Sequence, residues 1–150
     1  MAQSPTIHAS AVLVGARAVL IQGPSGSGKS RLALALLQAA AQGVIPFARL
    51  VADDRVHVTA VHGRLLVRPA GTLAGLIEIR GLGIRRMSYE PLAVVGLVVE
   101  LEQTDAGRLP EPSARRAEIA GITLPRLAVA PGTDPLPQVL AALQTTSSSC

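Results

Sequence analysis

The octet Gly23-Pro24-Ser25-Gly26-Ser27-Gly28-Lys29-Ser30 constrains this chain more than any other stretch. It fits the phosphate-cradling pattern G-x-x-x-x-G-K-[ST]. Its glycines let the backbone curl so that successive N–H groups face phosphate oxygens. Lys29 can reach the β/γ-phosphates, and the Ser30 hydroxyl can ligate Mg²⁺. Such a loop works between a strand and a helix. The apolar run Ala18-Val19-Leu20-Ile21 precedes it, and the stretch from Ser30 to Ala40, rich in helix formers, follows it. That helix aims the positive end of its dipole at a bound anion. At ordinary residue frequencies the four fixed positions coincide in a chain this short less than roughly one time in a hundred, so a chance Gly/Ser loop is a poor account. Lys29 is also the only lysine in the chain. A phosphate hook needs a compact ammonium rather than a planar fork. The reading is nucleoside triphosphate binding by Gly23 to Ser30.

Composition narrows the partners. A chain of 150 residues is one domain with a real core. Mean hydropathy is +0.41, yet there is one Phe, one Tyr and no Trp. Aliphatic packing must therefore carry the core, and base stacking on nucleic acid is not expected. No apolar run has the length to span a bilayer. Met1 to Pro5 lacks a signal-peptide pattern, and the lone Cys150 excludes an intramolecular disulfide. The expectation is a cytoplasmic protein with no membrane partner. The net charge of +4 is spread along the chain, with Arg85-Arg86 and Arg115-Arg116 as the adjacent basic pairs. That suits a solvated surface or an acidic partner better than nucleic acid.

In chain order, His8 to Gly15 reads as a strand and Arg17 to Gln22 as its antiparallel return, since no crossover helix fits between them. This opening departs from the commonest doubly wound P-loop architecture. Gly43 is a plausible helix cap, and Arg49 to Ala52 leads into Asp53-Asp54. Val56 to Val61 and Arg64 to Arg68, joined by His62-Gly63, form a hairpin signal in which His57 and His62 are ordinary strand and turn residues. Leu76 to Ile84 follows a turn-rich stretch. Leu92 to Leu101, the longest apolar run, predicts a central strand despite Gly96. Six prolines from Pro110 onward punctuate the remainder into short pieces, with Leu136 to Leu143 as a final helix and Thr145 to Cys150 as a frayed tail. The predicted fold is α/β: a mixed, largely antiparallel sheet with two principal helices.

Five carboxylates compete for the chemistry. Strand alternation would send Asp53 and Asp54 to opposite faces, one toward the phosphates and one to orient a metal or water. A phosphoryl transferase needs such a carboxylate to accept the incoming hydroxyl's proton. Glu78, flanked by Ile77 and Ile79, either pairs with an arginine or ligates Mg²⁺ beside Ser30. Glu100 and Glu102 close the longest apolar strand, where many P-loop proteins place a metal-orienting acid.

Five blocks together resemble the catalytic domain of bacterial HPr kinase/phosphorylase. They are His8 at the first hairpin, Gly23 to Ser30, Leu50-Val51-Ala52-Asp53-Asp54, Leu76 to Ile84 and Leu97 to Glu102. The fourth, ending in E-I-R-G-L-G-I, is the most diagnostic, because a general P-loop protein has no reason to contain it. The resemblance implies a phosphoenolpyruvate-carboxykinase-like P-loop domain that binds ATP through Gly23 to Ser30 and holds Mg²⁺ through Ser30 and Glu78. It implies Asp54 as the base, with Asp53 beside it. His8, Lys29 and, in a later loop, Arg108 match further active-site positions. It implies a serine of an HPr-like phosphocarrier as acceptor, and a hexamer as the assembly. Longer members carry a separate N-terminal domain, so the chain looks like the short form of some proteobacteria. Val44 to Ala48 lengthens the link before the aspartates. The last loop, Val129 to Asp134, lacks the basic residues associated with phosphorolysis. The expected activity is therefore serine kinase rather than phosphorylase. The rivals are a small-molecule P-loop kinase, which would need an arginine-rich lid that the sequence lacks, and a nucleotide-binding regulatory module without transfer.

Overall fold

Polar turns and apolar strands set the connectivity of the computed structural model, which describes residues 5–145; the rest of the expected tail lies outside them. After a short β1 (Thr6–Ile7), β2 (Ala9–Val14) and β3 (Arg17–Gln22) pair antiparallel from Ala9↔Gln22 to Val14↔Arg17. The expected hairpin opening is therefore present, and β3 delivers the phosphate loop. Next comes α1 (Lys29–Ala41). Its end is a Schellman motif: Gly43 sits at φ +78, its N–H donates to Ala40 C=O at 3.1 Å, and Val44 N–H donates to Ala39 C=O at 2.8 Å. The Gly43 cap holds.

The chain then runs through β4 (Ala48–Ala52), β5 (Val56–Val61), β6 (Arg64–Pro69), β7 (Leu76–Ile79), β8 (Gly83–Arg86) and β9 (Ala93–Glu100). It ends with β10 (Arg116–Ile119), β11 (Ile122–Ala128) and α2 (Leu136–Gln144). The main sheet has nine strands in the order β1-β5-β6-β9-β3-β2-β4, with β11 added to β9 and β10 to β11. Only β3–β9 and β9–β11 are parallel pairs. The sheet is thus mixed and mainly antiparallel, and the longest apolar strand is central, as expected. The stretch Leu76 to Ile84 is a separate β7–β8 hairpin.

Two cores flank the sheet. On one face Leu32 and Leu36 of α1 and Val139 of α2 pack on Val19, Ile21, Leu50 and Val99. On the other, the sheet curls so that β5 and β6 close over β2 and β4 around Leu20, Val56, Leu65, Val67 and Val98. Burial of these aliphatic side chains, each worth about 1.5–3 kcal/mol, carries the fold without aromatic residues.

Two irregularities matter. Ala18 faces Val95 while Val19 faces Leu97, leaving Gly96 as the extra residue of a bulge. A Cβ there would lie 2.7 Å from Arg17 Cβ, so the glycine is a requirement of the strand rather than a flaw in it. In the second bulge Ala11 faces Ala52 and Val12 faces Leu50, leaving Val51 extra.

The proline-rich remainder is more ordered than its punctuation suggests. Arg116 to Ala128 is a hairpin closed by Ala120 and Gly121 at φ +52 and +80. In a two-residue hairpin the closing pair, Ile119↔Ile122, exchanges hydrogen bonds and every second pair does so thereafter. The Arg116↔Pro125 pair is then not hydrogen-bonded. Pairing with β9 starts only at Arg126, so Pro125 breaks no bond. Among the described residues no helix is long and apolar enough to cross a membrane.

Candidate functional site

Because β4 is antiparallel to β2 and β2 to β3, the carboxyl ends of β3, β4, β9 and β11 share one sheet edge. Open α/β sheets bind ligands at such an edge. There a cleft of about 780 Å³ is lined by seven of the eight residues of the octet, together with His8, Asp54 and Glu78. Sequence reading missed Arg31, Leu34, Ile79 and Arg80, which complete the lining.

Gly26 at φ +79 and Gly28 at φ +101 turn the loop where a side chain would be strained. No side chain caps α1 and its first turn holds no acid, so its free N–H groups are available to an anion. Lys29 Nζ donates to Gly23 C=O at 2.8 Å and Pro24 C=O at 3.1 Å. Ser27 is the octet residue that does not border the cleft. Its N–H donates to Pro24 C=O at 3.1 Å, and its buried hydroxyl, which has no hydrogen-bond partner among the described residues, packs over Gly23.

The aspartates divide the work differently from simple alternation. Leu50 packs on the α1 face, whereas Val51 and Ala52 both pack on the opposite face. The bulge at Val51 therefore returns Asp53 to the helix side. Asp53 is buried and accepts from Ser30 Oγ at 2.7 and 2.9 Å, from Ser10 Oγ at 2.7 Å and from Glu78 N–H at 3.0 Å. Asp54 lies past the strand at φ +69, a conformation that Asp tolerates better than most residues, and its exposed side chain lines the cleft.

Glu78 enters the cleft and makes no ion pair among the described residues, which removes the arginine alternative. Its rivals are elsewhere. Glu100 accepts from Arg126 Nε at 2.7 Å, and Glu102 is exposed at φ +59 outside the cleft. The residues fit a hard cation. With its proton given to Asp53, Ser30 Oγ keeps lone pairs for a metal, and Glu78 supplies one carboxylate. No group of three or more His, Cys, Asp or Glu forms a cage among the described residues. Mg²⁺ needs none, since it keeps waters and binds one or two carboxylates plus phosphate oxygens.

His8 lines the cleft, and its Nε2 lies 3.3 Å from Arg55 Nη2. A guanidinium only donates, so the ring nitrogen is the acceptor. Arg108 is not brought to the cleft. It lies exposed in the segment between β9 and β10. The neck of that segment is gripped by Arg126. Beyond Glu100, its guanidinium donates to both oxygens of Asp105 at 2.9 and 3.1 Å, to Gln103 Oε1 at 3.0 Å and to Ala114 C=O at 2.8 Å. The hydrogen bond from Arg126 holds the Asp105 carboxyl below its ordinary range, and the same bond, with Glu100 adding to it, raises the Arg126 guanidinium. Ser10 also went unread. The available signal was a single hydroxyl inside the apolar run of β2, which burial would oblige to find a partner.

The chain is 35% identical over 140 residues to the HPr kinase/phosphorylase of Streptococcus uberis, covering 86% of this chain and 43% of that protein. It is 33% identical over 110 residues to the HPr kinase/phosphorylase of Clostridium tetani, covering 69% and 34%. It therefore spans less than half the length of these relatives. The solved Hpr(Ser) kinase/phosphatase of Coxiella burnetii superposes with a TM-score of 0.73 at 24% identity, covering 93% of this chain and 88% of that one, a likeness of fold. The family model described as the HPr Serine kinase C-terminal domain matches residues 1–134. With that match over most of its length, the chain belongs to the HPr serine kinase C-terminal domain family.

Proposed function

We propose that this chain transfers the γ-phosphoryl group of ATP to a serine of an HPr-like phosphocarrier protein. The carrying observation is the placement of Asp54 in the same cleft as Lys29, Ser30 and Glu78. Phosphoryl transfer needs little beyond positioning and charge stabilisation, and these residues supply both. The loop N–H groups and the α1 N-terminus would hold the phosphates. Lys29 would exchange the carbonyls of Gly23 and Pro24 for β/γ-phosphate oxygens. Ser30 and Glu78 would hold Mg²⁺, which when bound neutralises phosphate charge. Asp54 would take the serine proton as the serine oxygen bonds to the γ-phosphorus, with ADP as leaving group.

Phosphorolysis is not part of the reading, because residues 129–134 offer no cation for a second phosphate. Hexamer assembly, residence in the cytoplasm and the participation of His8 and Arg108 belong to the same proposal. The test is transfer from labelled ATP and Mg²⁺ to an HPr-like protein, beside an acceptor whose candidate serine is alanine. Label on the intact acceptor alone supports the reading. Tight ATP binding with no label on any carrier refutes it.

A further inference from the structure

Ser10 is fully buried in β2 between Ala9 and Ala11, so its hydroxyl depends wholly on protein partners. It has two, and they belong to neighbouring residues with different tasks. Ser10 Oγ donates to Asp53 Oδ1 at 2.7 Å and accepts from Asp54 N–H at 3.4 Å. The same strand grips the corner again, through Ala9 N–H to Asp54 C=O at 3.1 Å. Asp53 in turn orients Ser30 from below and receives the Glu78 backbone N–H.

We infer that Ser10 is a positioning residue that aligns the cation-binding side and the proton-accepting side of the cleft through one hydroxyl. The inference rests on the nucleotide and Mg²⁺ reading above. Its physical content is twofold. Without the Ser10 hydroxyl, Asp53 Oδ1 loses one of its two serine donors, and the carboxylate is freer to turn away from Ser30. The Ser30 proton then loses its fixed direction, and so do the lone pairs left for a cation. At the same time the Asp54 N–H loses its acceptor at a residue held at φ +69, so the base loses its fixed position. A side chain that merely filled space would leave both features unchanged.

The experiment is binding of a fluorescent ATP analogue to the full chain, with and without Mg²⁺, for wild type, Ser10→Ala, Ser10→Cys and Ser10→Thr. Melting curves run beside it. Groups behind metal ligands typically cost 10–100-fold in metal affinity when removed. Ser10→Ala and Ser10→Cys, which lack a strong donor, are expected to lose Mg²⁺-promoted binding by roughly that factor while Mg²⁺-free binding changes by less than about threefold. Ser10→Thr keeps the hydroxyl and is expected to recover the Mg²⁺ effect. If its methyl prevents a cooperative melt, the Ala and Cys variants decide alone. Unchanged Mg²⁺-promoted binding in both variants, or equal losses with and without Mg²⁺, overturns the inference. A wild-type chain whose binding ignores Mg²⁺ overturns the underlying reading, and the inference with it.

Discussion

Asp53→Asn separates the stability of the site from its chemistry. Asp53 receives four contacts from three donors. The Glu78 N–H cannot reverse, so the asparagine carbonyl must take the Oδ2 position and the amide must replace Oδ1. That amide then donates into Ser10 and Ser30, both 2.7 Å from the replaced oxygen. Ser30 turns a lone pair inward and loses the negative charge that polarises it. Replacing charge-assisted bonds by neutral ones weakens each by about 1 kcal/mol, or about 3 kcal/mol for the three donors. Relief from burying a charge offsets part of this, leaving a net loss of about 1–2 kcal/mol. A chain of this length loses roughly 2–4 °C per kcal/mol, so the melt should fall by about 2–8 °C and stay cooperative. Ligand stabilisation should change more. At 100 times its dissociation constant Mg·ATP stabilises by about 2.7 kcal/mol. A roughly 10–100-fold loss of affinity leaves about 1.4 to 0.4 kcal/mol at the same concentration. Thermal shift with ATP, with and without Mg²⁺, reads both effects. A variant that melts lower yet keeps the full Mg²⁺ increment would refute the account of Ser30.

Four further outcomes are expected. Asp54→Asn should fold, since Asn accepts positive φ, and should bind nucleotide normally while losing roughly 10²–10⁴-fold in transfer; unchanged turnover would remove Asp54 from the base role. Arg126→Gln should release the neck of the segment between β9 and β10, seen as faster tryptic cleavage at Arg108, Arg115 or Arg116 without a change at Arg31. The Asp105 arm of that grip should also respond to acid. Its folded value lies below the ordinary 3.8, so its stabilisation is complete above that pH and is lost as pH falls through the lowered value. Amide NMR signals of residues 103–114 should report the release at low pH, and an invariant spectrum would contradict it. Gly96→Ala sets a Cβ against Arg17 Cβ at 2.7 Å and should cost about 1–3 kcal/mol in denaturant unfolding; a neutral result would mean that the bulge relaxes freely.

The octet, its flanking strand and helix, the hairpin opening and the central strand were legible because each rests on local chemistry: glycine φ, apolar runs and helix formers. Glu78 was legible as a metal candidate beside Ser30 only through the family resemblance, because the choice between arginine and metal that its own neighbours leave open depends on the β7–β8 hairpin facing the octet. Asp53 and Asp54 were recognised as a pair, yet alternation misdescribed them, since an inserted strand residue shifts phase only against a partner strand. Ser10 and Arg126 act on residues 43 and 26 positions away, distances at which a single sequence carries no pairing information. Pro125 misled for a related reason, since the cost of a missing N–H depends on which neighbour that N–H would have faced.

The extra residue at Val51 has a consequence for how this chain tolerates change in length. Removing it would restore an unbroken ladder between β2 and β4, a change that the sheet itself would accept. Ala52 and Asp53 would also keep their sides, since Leu50, Ala52 and Asp53 then alternate regularly and the carboxylate still returns to Ser30. A deletion mutant should thus keep both its hydrogen-bond ladder and its chemistry, at the cost of one core side chain. Among relatives, a one-residue gap in this strand would be compatible with a complete site.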